Sequence, residues 1–189
     1  MNERVLRSQE AEDEFEFIDT EEELAEYLGG IAPYIGWVII YFNSLEDGIS
    51  DFIREAILRD PGQDERLDVF LAEMLFAGKC RALMHLYGQM IEDADVKYTH
   101  TDLNELESLL LECARRRNEY AHADWIGLKQ QNYVRVKSQS KKRGLFHRYK
   151  KFEIEQMESD VAFISNARHV LEEFNQNIYD QLFKREASS

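Results

Sequence analysis

One short stretch of the chain combines residue types that can do chemistry, Arg117-Asn118-Glu119-Tyr120-Ala121-His122. A histidine titrates near neutral pH and can move protons, and an arginine presents a planar fork that binds an anionic group through two hydrogen bonds. The stretch falls in a helical pattern, where about 100° per residue places Arg117 with the core leucines. Asn118 and His122 then share a neighbouring face. We expect three flanking residues to point elsewhere, namely Arg115, Arg116 and Glu119.

A second charged residue points inward on the first long helical pattern. Glu46 lies roughly 20° from the centre of the stripe formed by Ile35, Phe42, Ile49 and Ile53. Because a buried charge requires a partner, we expect Glu46 to face Arg117 or His122 across two packed helices and to support them. The alternative is an ion pair that only fixes how the helices pack.

Charge is distributed very unevenly along the chain. The 189 residues carry a net charge of −14, yet residues 115–151 carry +10 and the remainder −24. Aromatic residues are interleaved with the cations of this basic segment, a pattern that suits single-stranded nucleic acid, which offers phosphates and stackable bases. The candidate RNA-binding cations are Arg135, Lys137, Lys141, Lys142, Arg143, Arg148, Lys150 and Lys151. The alternative is a solvated surface whose cations neutralise the acidic body.

Several classes of protein are disfavoured by missing motifs. The sequence has no P-loop, no G-x-G-x-x-G, no G-x-S-x-G and no pair of histidines at metal-ligand spacing, so we expect neither a cofactor nor a metal. Cys80 and Cys113 lie in apolar helical patterns and are predicted to be buried free thiols. Residues 1–17 lack a signal-peptide core, and the apolar run 31–42 is short for a bilayer, which predicts a cytoplasmic protein with no membrane partner.

Helical periodicity dominates the rest of the chain, which holds only 2 prolines and 9 glycines. We predict a short helix over 21–28 that stops at Gly29-Gly30, and long helices over about 35–60, 64–91, 102–128 and 157–182. Residues 132–154 alternate like two strands around a turn at 141–144. The predicted fold is mainly α, an antiparallel bundle of four to five helices with a short basic β-hairpin before the last helix.

The first residues differ in composition from the rest of the chain. Acidic side chains crowd residues 10–16, so residues 1–19 are predicted to form a mobile acidic tail. Residues 20–189 are then predicted to form a single domain.

The motif Arg117-Asn118-x-x-x-His122 resembles the R-x4-H motif of HEPN-domain proteins, whose arginine is often followed by a polar residue. The surrounding residues are similar as well, including Leu106 to Leu111, Trp125, and Asn43-Ser44-Leu45-Glu46 on the first long helix. The resemblance covers roughly residues 31–182, although only the motif is specific to the family.

This resemblance implies a homodimeric, metal-independent endoribonuclease, often a toxin or a phage-defence effector with an antitoxin protein as partner. Arg117 and His122 would be the catalytic pair, and Asn118 would orient them. The residue types suit cleavage of RNA by its own 2′-hydroxyl, which requires a proton carrier and a cation for the charge that builds on phosphorus. Five positions on a helix separate the pair by about 140°, so two copies across a dimer axis would complete the site.

Two other functions are compatible with the same residues. The chain could be a non-catalytic helical module that binds RNA or a protein through its basic surface, with Arg117 and His122 in structural roles. It could also be an adaptor that uses its acidic face. Cleavage of RNA in EDTA would separate the enzyme from both of these.

Overall fold

The computed structural model describes residues 3–16, 20–58, 60, 62, 65–93, 98–129 and 132–186. Within them the protein is mainly helical with a small antiparallel sheet, as predicted. The elements in chain order are β1 (Glu3–Leu6), α1 (Ser8–Glu14), α2 (Glu21–Ile57), α3 (Arg66–Glu73), α4 (Phe76–Asp93), α5 (His100–His122), β2 (Asp124–Lys129), β3 (Tyr133–Lys141), β4 (Gly144–Lys151) and α6 (Ile154–Glu186).

The chain divides into two compact units, which differs from the predicted tail and single domain. The sheet unit comprises Met1–Ile40 and Arg115–Ala162, and the helical unit comprises Tyr41–Ala114 and Phe163–Ser189. Three long helices, α2, α5 and α6, contribute residues to both units. The candidate residues at the end of α5 and on the hairpin all belong to the sheet unit.

The sheet has the strand order β1-β4-β3-β2, with every neighbouring pair antiparallel. The predicted hairpin is confirmed as β3 and β4, which are joined by a tight turn at Lys142-Arg143. Gly144 follows this turn at φ +118°, a conformation that strains any residue with a side chain. A bulge at Val136 shifts the register between Arg135 and Lys137. The sequence analysis missed β1 and β2.

Residues 3–16 are not the predicted mobile tail. Strand β1 pairs with β4, from Glu3 opposite Lys150 to Leu6 opposite His147. Helix α1 then packs Phe15 on Tyr133, with ring centroids 4.8 Å apart. The acidic residues of α1 are exposed, so the acidic composition of this segment describes only its solvated face. Ala11 and Phe15 of the same segment are buried.

Helix α2 continues through the predicted stop at Gly29-Gly30 and contains Pro33. A glycine costs a helix interior only about 1 kcal/mol, and many flanking helical residues offset that cost. By length and composition α2 is also apolar enough to cross a membrane, and 22% of its most apolar window is buried. Core helices of globular proteins meet the same criterion.

The helical unit has a continuous apolar interior. Phe42 packs on Phe76 with centroids 4.6 Å apart, and Tyr87 donates a hydrogen bond to the side chain of Asn175 at 2.7 Å. Cys80 and Cys113 are buried free thiols, as predicted. The predicted helix 64–91 divides at Met74-Leu75 into α3 and α4.

Candidate functional site

The end of α5 carries all three residues of the motif. Arg117, Asn118 and His122 lie in its last two turns, and the helix ends at His122. The indole Nε1 of Trp125 donates a hydrogen bond to the Tyr120 carbonyl at 2.9 Å. This bond satisfies one of the carbonyls that a helix leaves without partners at its C-terminus.

A buried network holds this end of α5 in place. The Arg116 guanidinium donates to Asp160 of α6 at 2.7 Å, and the Tyr120 hydroxyl donates to the other oxygen of the same carboxylate at 2.8 Å. Burial and the neighbouring Asp160 carboxylate raise the pKa of Tyr120, so its hydroxyl stays protonated and remains a donor. The orientation of the last two turns of α5 is therefore fixed within the sheet unit.

Glu119 connects α5 to the sheet. Its side chain is 4% exposed and accepts hydrogen bonds from Arg115 at 2.7 Å, Arg148 at 2.8 Å and Lys150 at 2.8 Å. Burial alone would raise its pKa, but the three cations, with Lys150 foremost, lower the pKa below the ordinary value. Glu119 is therefore a charged carboxylate at neutral pH.

A groove of about 680 Å³ lies between this face of α5 and the hairpin. Its size suits a nucleotide-sized ligand. The residues that line it are Arg115, Asn118, Glu119, His122, Val136, Lys137, Ser138, Gln139 and Arg148. The structure thus brings Asn118 and His122 together with two of the predicted RNA-binding cations, Lys137 and Arg148.

Arg117 does not belong to the groove lining among the described residues. Its side chain is half-buried, with a buried Nε atom. The four groove residues of α5 span an arc of about 100°, and Arg117 lies about 150° from the centre of that arc. The prediction that Arg115 and Glu119 point away from Asn118 and His122 was wrong, because the same count puts all four on one face.

The eight predicted RNA-binding cations fall into two groups. At the base of the hairpin, Arg135 pairs with Asp124 at 2.6 Å, Arg148 and Lys150 pair with Glu119, and Lys151 pairs with Glu153. The other four are exposed and have no ion pair with a described residue, namely Lys137, Lys141, Lys142 and Arg143. Lys141 instead lies over the ring of Phe146, 5.6 Å from its centroid.

Glu46 pairs with a cation that the sequence analysis does not single out. Lys79 of α4, 8% exposed, donates to the Glu46 carboxylate at 2.9 Å. Both residues belong to the helical unit. Burial of Lys79 was not expected, since a lysine beside apolar residues usually extends its ammonium into solvent. The structure therefore gives Glu46 a structural ion pair.

The opposite face of the sheet holds a buried histidine. His147 bonds Ser8 through Nε2 at 3.0 Å and Ser138 through Nδ1 at 2.8 Å. Burial and the nearby Arg135 lower its pKa below the ordinary value. A small cavity of about 240 Å³ lies beside it. The titratable groups around this cavity are Glu12 of α1, Asp124 of β2, Arg135 of β3 and Tyr149 of β4.

The described residues include no cluster of three or more histidine, cysteine or acidic side chains that could hold a metal ion. Comparison with protein-family models, with curated proteins and with solved structures finds no match to this chain. The resemblance to HEPN proteins thus depends on the residues of the motif and on their surroundings in the sequence.

Proposed function

We propose that this protein is a metal-independent endoribonuclease of HEPN type that cleaves single-stranded RNA. The observation that carries the proposal is the groove in which His122 and Asn118 meet Arg115, Lys137 and Arg148. A proton carrier beside several cations in a nucleotide-sized groove is the combination that phosphodiester cleavage requires.

In this mechanism His122 removes the proton from a ribose 2′-hydroxyl as the oxygen attacks the neighbouring phosphorus. The bond to the 5′-oxygen of the next nucleotide breaks, and that oxygen takes a proton from water. The resulting hydroxide takes the proton from His122, which restores the neutral imidazole. The products are a 2′,3′-cyclic phosphate and a 5′-hydroxyl. The cations stabilise the charge on the phosphate oxygens, and Asn118 orients the substrate or the histidine.

We place Arg117 in the complete site through a second copy of the chain. Within one copy Arg117 lies on a different side of α5 from His122, so a homodimer would bring the arginine of one copy toward the groove of the other. Ile126, next to Trp125, is 72% exposed and offers apolar surface near the end of α5 for such an interface. In this proposal the four-to-five-helix bundle is the scaffold of each copy.

The proposed biological setting is that of a toxin or phage-defence effector in the cytoplasm. An antitoxin protein is the expected partner, because an unregulated ribonuclease would harm its own cell. The exposed cations of the hairpin, with Lys141 to Arg143 at its tip, supply a surface for RNA.

A second candidate function is favoured by the position of Arg117. Since one copy does not line its groove with Arg117, this arrangement also fits a non-catalytic module that binds RNA or a protein, with Arg117 structural. Binding without cleavage is the property that identifies this alternative.

Degradation of unstructured RNA in EDTA tests the proposal. His122→Ala should lower the cleavage rate at least about 100-fold, the usual contribution of a general acid or base. Arg117→Ala should lower it as well. The matched controls are His169→Ala and Arg168→Ala on α6, since His169 is 75% exposed and Arg168 pairs only with exposed Glu172 in the described residues.

Equal cleavage by wild type and both site variants would contradict the catalytic assignment. Absence of cleavage by wild type, together with RNA binding, would establish the second candidate. Light scattering after size exclusion tests the dimer, and a monomer at micromolar concentration would remove Arg117 from the mechanism.

A further inference from the structure

Two guanidinium groups share a single oxygen atom at the wall of the groove. Arg115 Nη1 and Arg148 Nη2 both donate to Oε1 of Glu119, at 2.7 and 2.8 Å, while Lys150 Nζ donates to Oε2 at 2.8 Å. The two arginine nitrogens are therefore less than about 6 Å apart. Because Glu119 is 4% exposed, the carboxylate that holds them has little freedom to move.

The cluster carries more cations than anions. Glu3 also approaches Arg148, at 3.5 Å, but its side chain is 48% exposed. Three cations thus meet the carboxylate of Glu119, one of them also meets that of Glu3, and Lys137 beside them has no ion pair in the described part of the chain. An arginine has five N–H donors, and the bond from Arg148 to Glu119 uses one of them. The Nε of Arg148 is buried and has no acceptor among the described residues.

We infer that Arg115 and Arg148 form a phosphate-binding subsite in the groove, with Glu119 as the positioning residue that holds the two guanidiniums side by side. The ligand is a phosphate group, either a phosphodiester of single-stranded RNA or a free phosphate anion. A tetrahedral phosphate has enough oxygens to accept hydrogen bonds from two guanidinium groups at once. A planar carboxylate, in contrast, is already satisfied by one guanidinium group. As applied to RNA the inference rests on the proposed function, and it extends that function by assigning a substrate contact outside the motif.

The shared carboxylate has a quantitative consequence. Two cations held this close contact the same phosphate, so together they neutralise one phosphate charge. Each phosphate neutralised on a single strand contributes about −0.7 to the slope of log affinity against log salt. Removing both arginines should therefore reduce the slope by about 0.7, and removing one should reduce it by no more than that.

The experiment measures binding of a fluorescent 2′-O-methyl oligouridine, which cannot be cleaved through its 2′-oxygen, at a series of salt concentrations. The variants are Arg115→Met, Arg148→Met and the double variant, which keep apolar stems, and Arg168→Met is the control. We expect a loss of about 0.7 in slope for the double variant and no more than that for either single variant, with no change for the control. A loss near 1.4 in the double variant, or no loss in any variant, overturns the shared subsite.

Glu119→Gln tests the positioning role separately. The substitution makes the groove more positive by one charge, so attraction by net charge alone would strengthen oligouridine binding. If Glu119 positions the arginines, binding weakens instead, and tighter binding would overturn this role. Should the variant fail to fold by circular dichroism, the arginine variants still decide the subsite.

Inorganic phosphate distinguishes the two sources of the ligand. If phosphate raises the melting temperature of wild type but not of the Arg115→Met/Arg148→Met variant, the subsite accepts the free anion. If the arginine variants weaken oligouridine binding but phosphate does not change the melting temperature, the subsite binds RNA. If neither effect is observed, the inference is overturned. Because binding is measured on an uncleavable strand, loss of the subsite and failure of His122 catalysis are independent results.

Discussion

The base and the tip of the β3–β4 hairpin contain the same kinds of side chain in different electrostatic settings. At the base, Arg135, Arg148, Lys150 and Lys151 each pair with a carboxylate of the sheet unit. At the tip, Lys141, Lys142 and Arg143 are exposed and have no ion pair with a described residue. One continuous basic sequence therefore has two different settings: the base joins the sheet to α5, and the tip leaves its charges exposed to solvent.

The largest expected effect is on stability at the base. Glu119→Gln leaves three cations beside a neutral amide, and removing one partner of a buried ion pair costs about 3–5 kcal/mol. We expect the free energy of unfolding, measured by urea denaturation, to fall by about that amount. Glu172→Gln is the control, because its pair with Arg168 is exposed on both sides and should contribute less than about 1 kcal/mol. Equal losses in the two variants would show that the base network is as dispensable as a surface pair.

The second effect is on RNA binding at the tip. Replacing Lys141, Lys142 and Arg143 with Glu should lower affinity for single-stranded RNA about 100-fold at low salt and reduce the salt slope by up to about 2, if each cation contacts a phosphate. The free energy of unfolding should stay within about 0.5 kcal/mol of wild type, since these side chains are exposed. Unchanged affinity and slope in a filter-binding titration would make the tip a solvated surface.

The smallest effect is a dependence of stability on pH. The pKa of His147 is lowered by burial and by Arg135, so the folded state favours the neutral imidazole. The unfolded chain takes up a proton at its ordinary pKa near 6.5, and stability should therefore fall as pH decreases below that value. The lowered pKa of Glu119 changes stability in the same direction at lower pH, because stability is lost as pH falls below about 4.5.

Urea denaturation between pH 7.5 and 5.5 measures the histidine contribution alone. His147→Gln keeps a side chain that can donate and accept hydrogen bonds but does not titrate, and it should flatten the dependence in this range. A steep dependence that persists in the variant would assign the effect to another group.

Sequence patterns predicted those elements whose signals are local. The alternation at Tyr133 to Lys137 and the turn before Gly144 gave the hairpin, and the apolar stripes gave the long helices. The strand β1 is four residues with an exposed pattern, and only its pairing with β4 defines it. The partner of Glu46 likewise depends on which lysine the packing of the helical unit buries, and this information lies outside any local window.

The candidate site was predicted in part. Asn118 and His122 share a face of α5, as expected, because helical periodicity determines that face. Glu119 was missed as the anchor of the site, since its three cationic partners come from Arg115 on the same helix and from two positions on β4. The sequence around Glu119 predicts a helix. It does not predict that the Glu119 carboxylate is buried, because that burial depends on the tertiary structure.

The pairing of β1 with β4 also has a consequence for synthesis on the ribosome. Glu3 is translated long before its partner Lys150. The hairpin side of the groove is also translated late, because Lys137 and Arg148 follow His122, the end of α5, in the sequence. Contacts this distant in sequence form late, since the intervening chain must first be closed into a loop. A nascent chain therefore has no assembled groove until β4 has been translated.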